Sequence, residues 1–145
     1  MSIKFISDLV FDVYIKKELL DEKLESKTDL EKYIKKLFII LNDKYNIHME
    51  GFYDVIIYID KYYGIVFHLE KESSDYCEYF KNQVDMKISI IKKDFYYKVN
   101  DILKELLDKV EIYIKNDNIY LKIKNKLTKK EMMILLENSE VVFNL

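Results

Sequence analysis

The chain has 145 residues, 24 basic against 26 acidic ones, a formal net charge of -2, and half its residues are hydrophobic. It has no alanine, arginine, proline or tryptophan and a single cysteine. This composition argues against a disordered chain, a disulfide scaffold and a protein that gathers nucleic acid by a strong global field. Lacking Arg, it also lacks the guanidinium fork that grips phosphate or a guanine edge with two parallel bonds.

Ile, Lys, Asn, Tyr and Asp stand where GC-rich codons would place other residues, which points to an AT-rich bacterium or its phage. The length is that of one globular domain over residues 1–145, large enough to bury a core. Met1 to Lys17 carries Asp8 and Asp12 within its apolar stretch and does not read as a signal peptide. No apolar run approaches the roughly 18 residues of a membrane span. Cys77 has no partner within the chain for a disulfide. A cytoplasmic location, with no membrane partner, is the expectation.

In chain order, a strand or hairpin is expected from Ile3 to Ile15. Thr28 and Glu31 then form a T-x-x-E capping box, in which hydroxyl and carboxylate satisfy orphan backbone donors. Leu30, Ile34, Leu37, Leu41 and Tyr45 follow at helical spacing and predict a stripe facing a sheet. A hairpin is expected next: Val55, Ile57 and Ile59 on one strand, Ile65, Phe67 and Leu69 on the return, with Gly64 supplying a positive φ in the loop. Ser74 or Asp75 reads as the cap of a short helix through Phe80.

A second hairpin is predicted from Val84-Met86-Ile88-Ile90 and Phe95-Tyr97-Val99, turning at Lys93-Asp94. Asp101 to Leu107 reads ambiguously as a helical turn. The third hairpin pairs Val110-Ile112-Ile114 with Ile119-Leu121-Ile123 around Asn116-Asp117. That register sets Lys115 opposite Asn118, Tyr113 opposite Tyr120 and Glu111 opposite Lys122. Thr128 and Glu131 open a last helix, with Met132, Leu135 and Leu136 on one face.

The fold class is therefore α+β: a mainly antiparallel sheet built from hairpins, with helices on one face. The strand–turn–strand–helix layouts beginning at Val55 and at Val110 echo each other about 55 residues apart. The echo is compatible with a duplicated ββα unit, but a common α+β layout written in a restricted alphabet explains it more simply. From Val110 to Glu137 the layout is similar to the hairpin-plus-helix ends of bacterial proteolysis adaptors. No diagnostic residue accompanies it, and no function is carried from it.

Catalytic motifs are sparse. His48-Met49-Glu50 and His68-Leu69-Glu70 match the H-x-E triplet of zinc deaminases, but one cysteine cannot supply their C-x-x-C element. Two isolated glycines build neither a P-loop nor a dinucleotide fingerprint. Cys77 lies between acidic neighbours, which suppress a thiolate. Glu70, Glu72, Asp75 and Glu78 match no calcium loop and read as a solvated acidic face. No catalytic residue, metal or cofactor is expected, though a small enzyme with an acidic and histidine pocket remains an alternative.

Two surfaces stand out. Tyr62, Tyr63, Tyr76 and Tyr79 offer stiff aromatic contact area at a hairpin tip and the helix after it, suited to protein recognition. Tyr113, Lys115, Tyr120, Lys122, Lys124 and Lys126 share a sheet face that could hold a polyanion by charge and stacking. The leading expectation is a non-enzymatic interaction module of the inhibitor, immunity or adaptor kind, with another protein as partner. A nucleic-acid or polyanion binder is the alternative. Because no proline protects any strand, a homodimer through a sheet edge is also open.

Overall fold

The computed structural model describes residues 1–20, 24, 26–72 and 84–145. Among them, two helices and nine strands form two antiparallel-dominated sheets, an α+β architecture. The chain divides into two compact units, one of residues 1–59 and 64–91, the other of 60–63 and 92–145.

In the first unit, β1 (Ser2–Phe5) and β2 (Val10–Lys16) form the expected N-terminal hairpin. Helix α1 (Lys27–Tyr45) follows. Its capping box is Ser26 with Asp29, not Thr28 with Glu31: the Ser26 hydroxyl accepts the Asp29 N–H, and the Asp29 carboxylate accepts the Ser26 N–H. Both pairs have the right spacing, so the helix begins one residue after the earlier one. Asn46, left-handed at φ 54°, ends it.

The stripe of α1 buries Leu30, Ile34, Leu37, Phe38 and Leu41. Tyr45, expected in that stripe, is exposed at the last helical position. The stripe packs on strands β2, β3 (Gly51–Asp60) and β4 (Gly64–Lys71), burying Val13, Val55, Ile57, Phe67 and Leu69 among others. With β5 (Val84–Lys92) the sheet order is β1-β2-β4-β3-β5. Gly64 has φ +130°, and a Cβ there would sit 2.6 Å from the Lys17 backbone nitrogen, so only glycine fits.

The hairpin expected from residues 84 to 99 does not form. Strand β5 belongs to the first sheet and β6 (Tyr96–Val99) to the second, so the alternation is real but the two strands are not partners. The second sheet runs β7 (Val110–Lys115), β8 (Asn118–Ile123), β6 and β9 (Ser139–Val142). A 3-10 turn at Lys104–Leu106 precedes β7 and buries Leu106. The β7–β8 register has Lys115 opposite Asn118, Tyr113 opposite Tyr120 and Glu111 opposite Lys122, as its turn and pair chemistry predict. Asn116 and Asp117 take φ 52° and 64°, the pair of positive angles that a two-residue type I′ turn requires.

Helix α2 (Lys129–Glu137) carries the expected Thr128–Glu131 box and buries Leu135. Its other two expected face residues, Met132 and Leu136, are half-buried. Tyr63, Phe95, Tyr97, Val99, Val110, Leu121, Ile123, Leu127 and Phe143 are also buried in this unit. The short helix expected through Phe80, which would complete the first copy of the ββα echo, lies outside the described residues, whereas the two strands of that copy are β3 and β4.

Candidate protein-interaction edge

The tyrosines expected at the tip of the β3–β4 hairpin are drawn inward. Asp60, only 5% exposed, organises the turn through its carboxylate. Its Oδ2 accepts the N–H groups of Tyr62 at 2.8 Å and Tyr63 at 2.6 Å, and its Oδ1 accepts the Phe95 N–H at 2.9 Å. Tyr63 is consequently buried, its ring centroid 5.8 Å from that of Phe95, and burial pushes its pKa up to about 12. The exposure expected of Tyr63 is thus corrected. Tyr62 is half-buried, with the Lys61 ammonium 5.3 Å from its ring centroid. Tyr76 and Tyr79, like Cys77, Asp75 and Glu78, lie outside the described residues.

The lysine and tyrosine face exists, but it carries acids as well. Tyr113 donates its hydroxyl to Glu111 at 2.6 Å, and that bond is the first cause of its raised pKa. Lys122 lies 3.3 Å from Asp94, which holds its pKa up. Tyr113 also meets Tyr96 edge to face at 5.6 Å. Tyr120 is half-buried, opposite Lys98 of β6, and Lys98 in turn stands opposite Glu140 of β9. Lys115, Lys124 and Lys126 are exposed.

The histidines take separate partners within the first unit. His48 Nε2 lies 2.5 Å from Glu50. His68 Nδ1 lies 2.5 Å from the carboxylate of Asp12, a buried residue that stands opposite His68 in the β2–β4 register. Such a pair fixes an imidazole tautomer, but no nucleophile accompanies it in the described contacts. Asp12 escapes sequence reasoning because its pairing requires β2 beside β4, which no local pattern reveals. Glu72 shares a side-chain hydrogen bond with Asp54, which raises its pKa. Glu70 is exposed. No group of metal-ligating side chains occurs among the described residues, and no described helix is long and apolar enough to cross a membrane.

In the second unit, a cavity of about 500 Å³ is lined by Lys98, Asn100, Asp101, Glu137, Asn138 and Glu140 among others. Neither histidine belongs to it.

Strand β7 combines an edge position with exposed apolar side chains. Among the described residues it is an edge strand, and every side chain of it after Val110 is exposed. Ile112 is 40% and Ile114 76% exposed, although both lie on the sheet face that buries Leu121, Tyr97 and Val99. Along the row Ile114, Ile119, Val99, exposure falls from 76% at the edge to 5% on the inner strand. Alternation shows which face these isoleucines occupy, not whether anything covers them. The hairpin also fixes the backbone. Residues flanking a two-residue turn form a hydrogen-bonded pair, and pairs then alternate. Lys124 donates its N–H to the Lys109 carbonyl at 2.8 Å, which fits odd-numbered β7 residues bonding inward. The N–H and C=O groups of Val110, Ile112 and Ile114 therefore point outward from the sheet.

Comparison with protein-family models, with curated proteins and with solved structures returned no match.

Proposed function

We propose that the protein is a non-enzymatic interaction module of the inhibitor, immunity or adaptor kind, which engages another polypeptide by strand addition at the edge of β7. The observation that carries this reading is the coincidence, on one strand, of outward backbone groups and exposed isoleucines. Backbone bonds give such a contact its affinity, and alternate side chains give it specificity. Large apolar side chains grouped at an unprotected sheet edge are otherwise a hazard that proteins suppress with proline, bulges or inward charges. This chain has no proline at all.

The lysine face supports a polyanion reading less well, because Glu111 and Asp94 occupy its central groups. A reducing cytoplasm accords with the lone cysteine.

Amide exchange tests the proposal. In dilute pure protein the Ile112 and Ile114 amides exchange quickly. In extract of the cells that express the protein, labelled chain shows them protected, while the exposed amide of Lys129 is unchanged. Fast exchange of Ile112 and Ile114 in both settings refutes strand addition at β7.

A further inference from the structure

We infer that the strand added at β7 is β7 of a second copy of this chain, paired antiparallel about a two-fold axis at Tyr113. The inference rests on the strand-addition reading and names its partner. It follows from the register rules of an antiparallel edge combined with the order of charges along Val110–Lys115.

Only residues whose backbone groups point outward can bond across a new edge, and on β7 these are Val110, Ile112 and Ile114. A symmetric antiparallel pair must therefore place even-numbered residues opposite even-numbered ones. Two registers suit the exposed part of the strand. Centred on Ile112, the pairing sets Glu111 against Tyr113 and Lys115 against Lys109, which Glu131 already holds, so neither Glu111 nor Lys115 gains an opposite charge.

Centred on Tyr113, every pair is favourable. Glu111 faces Lys115 of the second copy, and the two-fold axis repeats that ion pair. Ile112 faces Ile114, again twice, as hydrogen-bonded pairs. Tyr113 faces its own counterpart in a non-hydrogen-bonded pair, where side chains approach most closely. The sequence Glu-Ile-Tyr-Ile-Lys is thus self-complementary when read against its own reverse.

The two faces of the joined sheet are also consistent. Ile112 and Ile114 of both copies form one contiguous apolar group on the core face, covering the surface that the single chain leaves 40% and 76% exposed. On the opposite face Glu111 already accepts the Tyr113 hydroxyl through Oε2, and its other oxygen remains to meet Lys115 across the axis. Two four-stranded sheets become one of eight strands, and the β7 edge disappears.

The test uses the full chain and its charge pattern. The wild type sediments as a concentration-dependent dimer. Glu111→Lys alone places lysine against lysine at both ends of the pairing, and Lys115→Glu alone places glutamate against glutamate. Each variant weakens self-association at least about tenfold. Mixed one to one, the two variants restore opposite charges at both ends and form a heterodimer. That gain cannot come from a variant that fails to fold. A wild type that stays monomeric at high concentration overturns the inference, as does a mixture that forms no heterodimer. If the Ile112 and Ile114 amides are nevertheless protected in cell extract, strand addition stands and only the second copy is refuted. Unprotected amides in extract refute both.

Discussion

The Oδ1 of Asp60 accepts the backbone N–H of Phe95 at 2.9 Å across 35 residues of chain, while its Oδ2 holds Tyr62 and Tyr63. One buried carboxylate thus binds the hairpin tip to the segment just before β6. An isolated carboxylate would not be tolerated at this depth; three backbone donors make it stable.

Replacing Asp60 with Ala leaves the buried N–H groups of Tyr63 and Phe95 without acceptors, at a cost of about 3 kcal/mol. Asp60→Asn keeps one acceptor oxygen and turns an amide group toward a donor, costing about 1–2 kcal/mol. Urea unfolding of the two variants beside the wild type gives both values. Losses under about 0.5 kcal/mol would show that water replaces the carboxylate.

Alkaline pH should weaken the second unit through its buried tyrosines. Burial raises Tyr63 from 10.0 to about 12, and it raises Tyr97 further, with Asp60 and Tyr63 adding to the effect. Both groups are neutral in the fold and ionise more easily in the unfolded chain. Their contribution is therefore complete below pH 10 and falls as the pH rises through 12, by about 1.4 kcal/mol per pH unit for each group. Tyrosinate absorbance followed with unfolding should show these two ionising late. The Tyr97 hydroxyl is buried without a hydrogen-bond partner. Tyr97→Phe should accordingly leave stability unchanged or raise it by about 1 kcal/mol.

Acid should loosen the start of α2. The Lys109 ammonium, 2.6 Å from Glu131, and the Thr128 N–H hold the Glu131 carboxyl down at about 2. A depressed carboxyl stabilises the fold above its ordinary value of 4.5 and loses that contribution as the pH falls through 2. Carboxyl chemical shifts report the midpoint directly. Thr128→Ala removes the reciprocal cap and should cost about 1 kcal/mol in thermal unfolding.

What could be read from the sequence was local. The β7–β8 register followed from Asn116-Asp117 and from two cross-strand pairs, all within a dozen residues. The Thr128–Glu131 box was equally visible. The α1 box was displaced because Ser26–Asp29 and Thr28–Glu31 share one spacing. The false hairpin between β5 and β6 arose from alternation that continues on both sides of Lys93-Asp94. Its failure depends on strand partners in different sheets, which alternation does not encode. Strand β9 was missed, since Ser139–Val142 is short and follows a helix without a turn signal. The interaction site fared similarly. Tyr63 reads as an exposed tip because the Asp60 carboxylate's hold on distant Phe95 is invisible in the sequence, and the alternation of Ile112 and Ile114 places them on one face without showing that the face is uncovered.

Cysteine cross-linking at β7 tests the central claim most directly. In a Cys77→Ser background, Tyr113→Cys places two thiols opposite each other in a non-hydrogen-bonded pair, with Cα atoms about 4.5 Å apart, within disulfide reach. The account predicts a covalent dimer from Tyr113→Cys under mild oxidation and none from Glu111→Cys or Lys115→Cys, whose own counterparts lie far along the partner strand. No cross-link at 113, or equal cross-linking at all three positions, would contradict it.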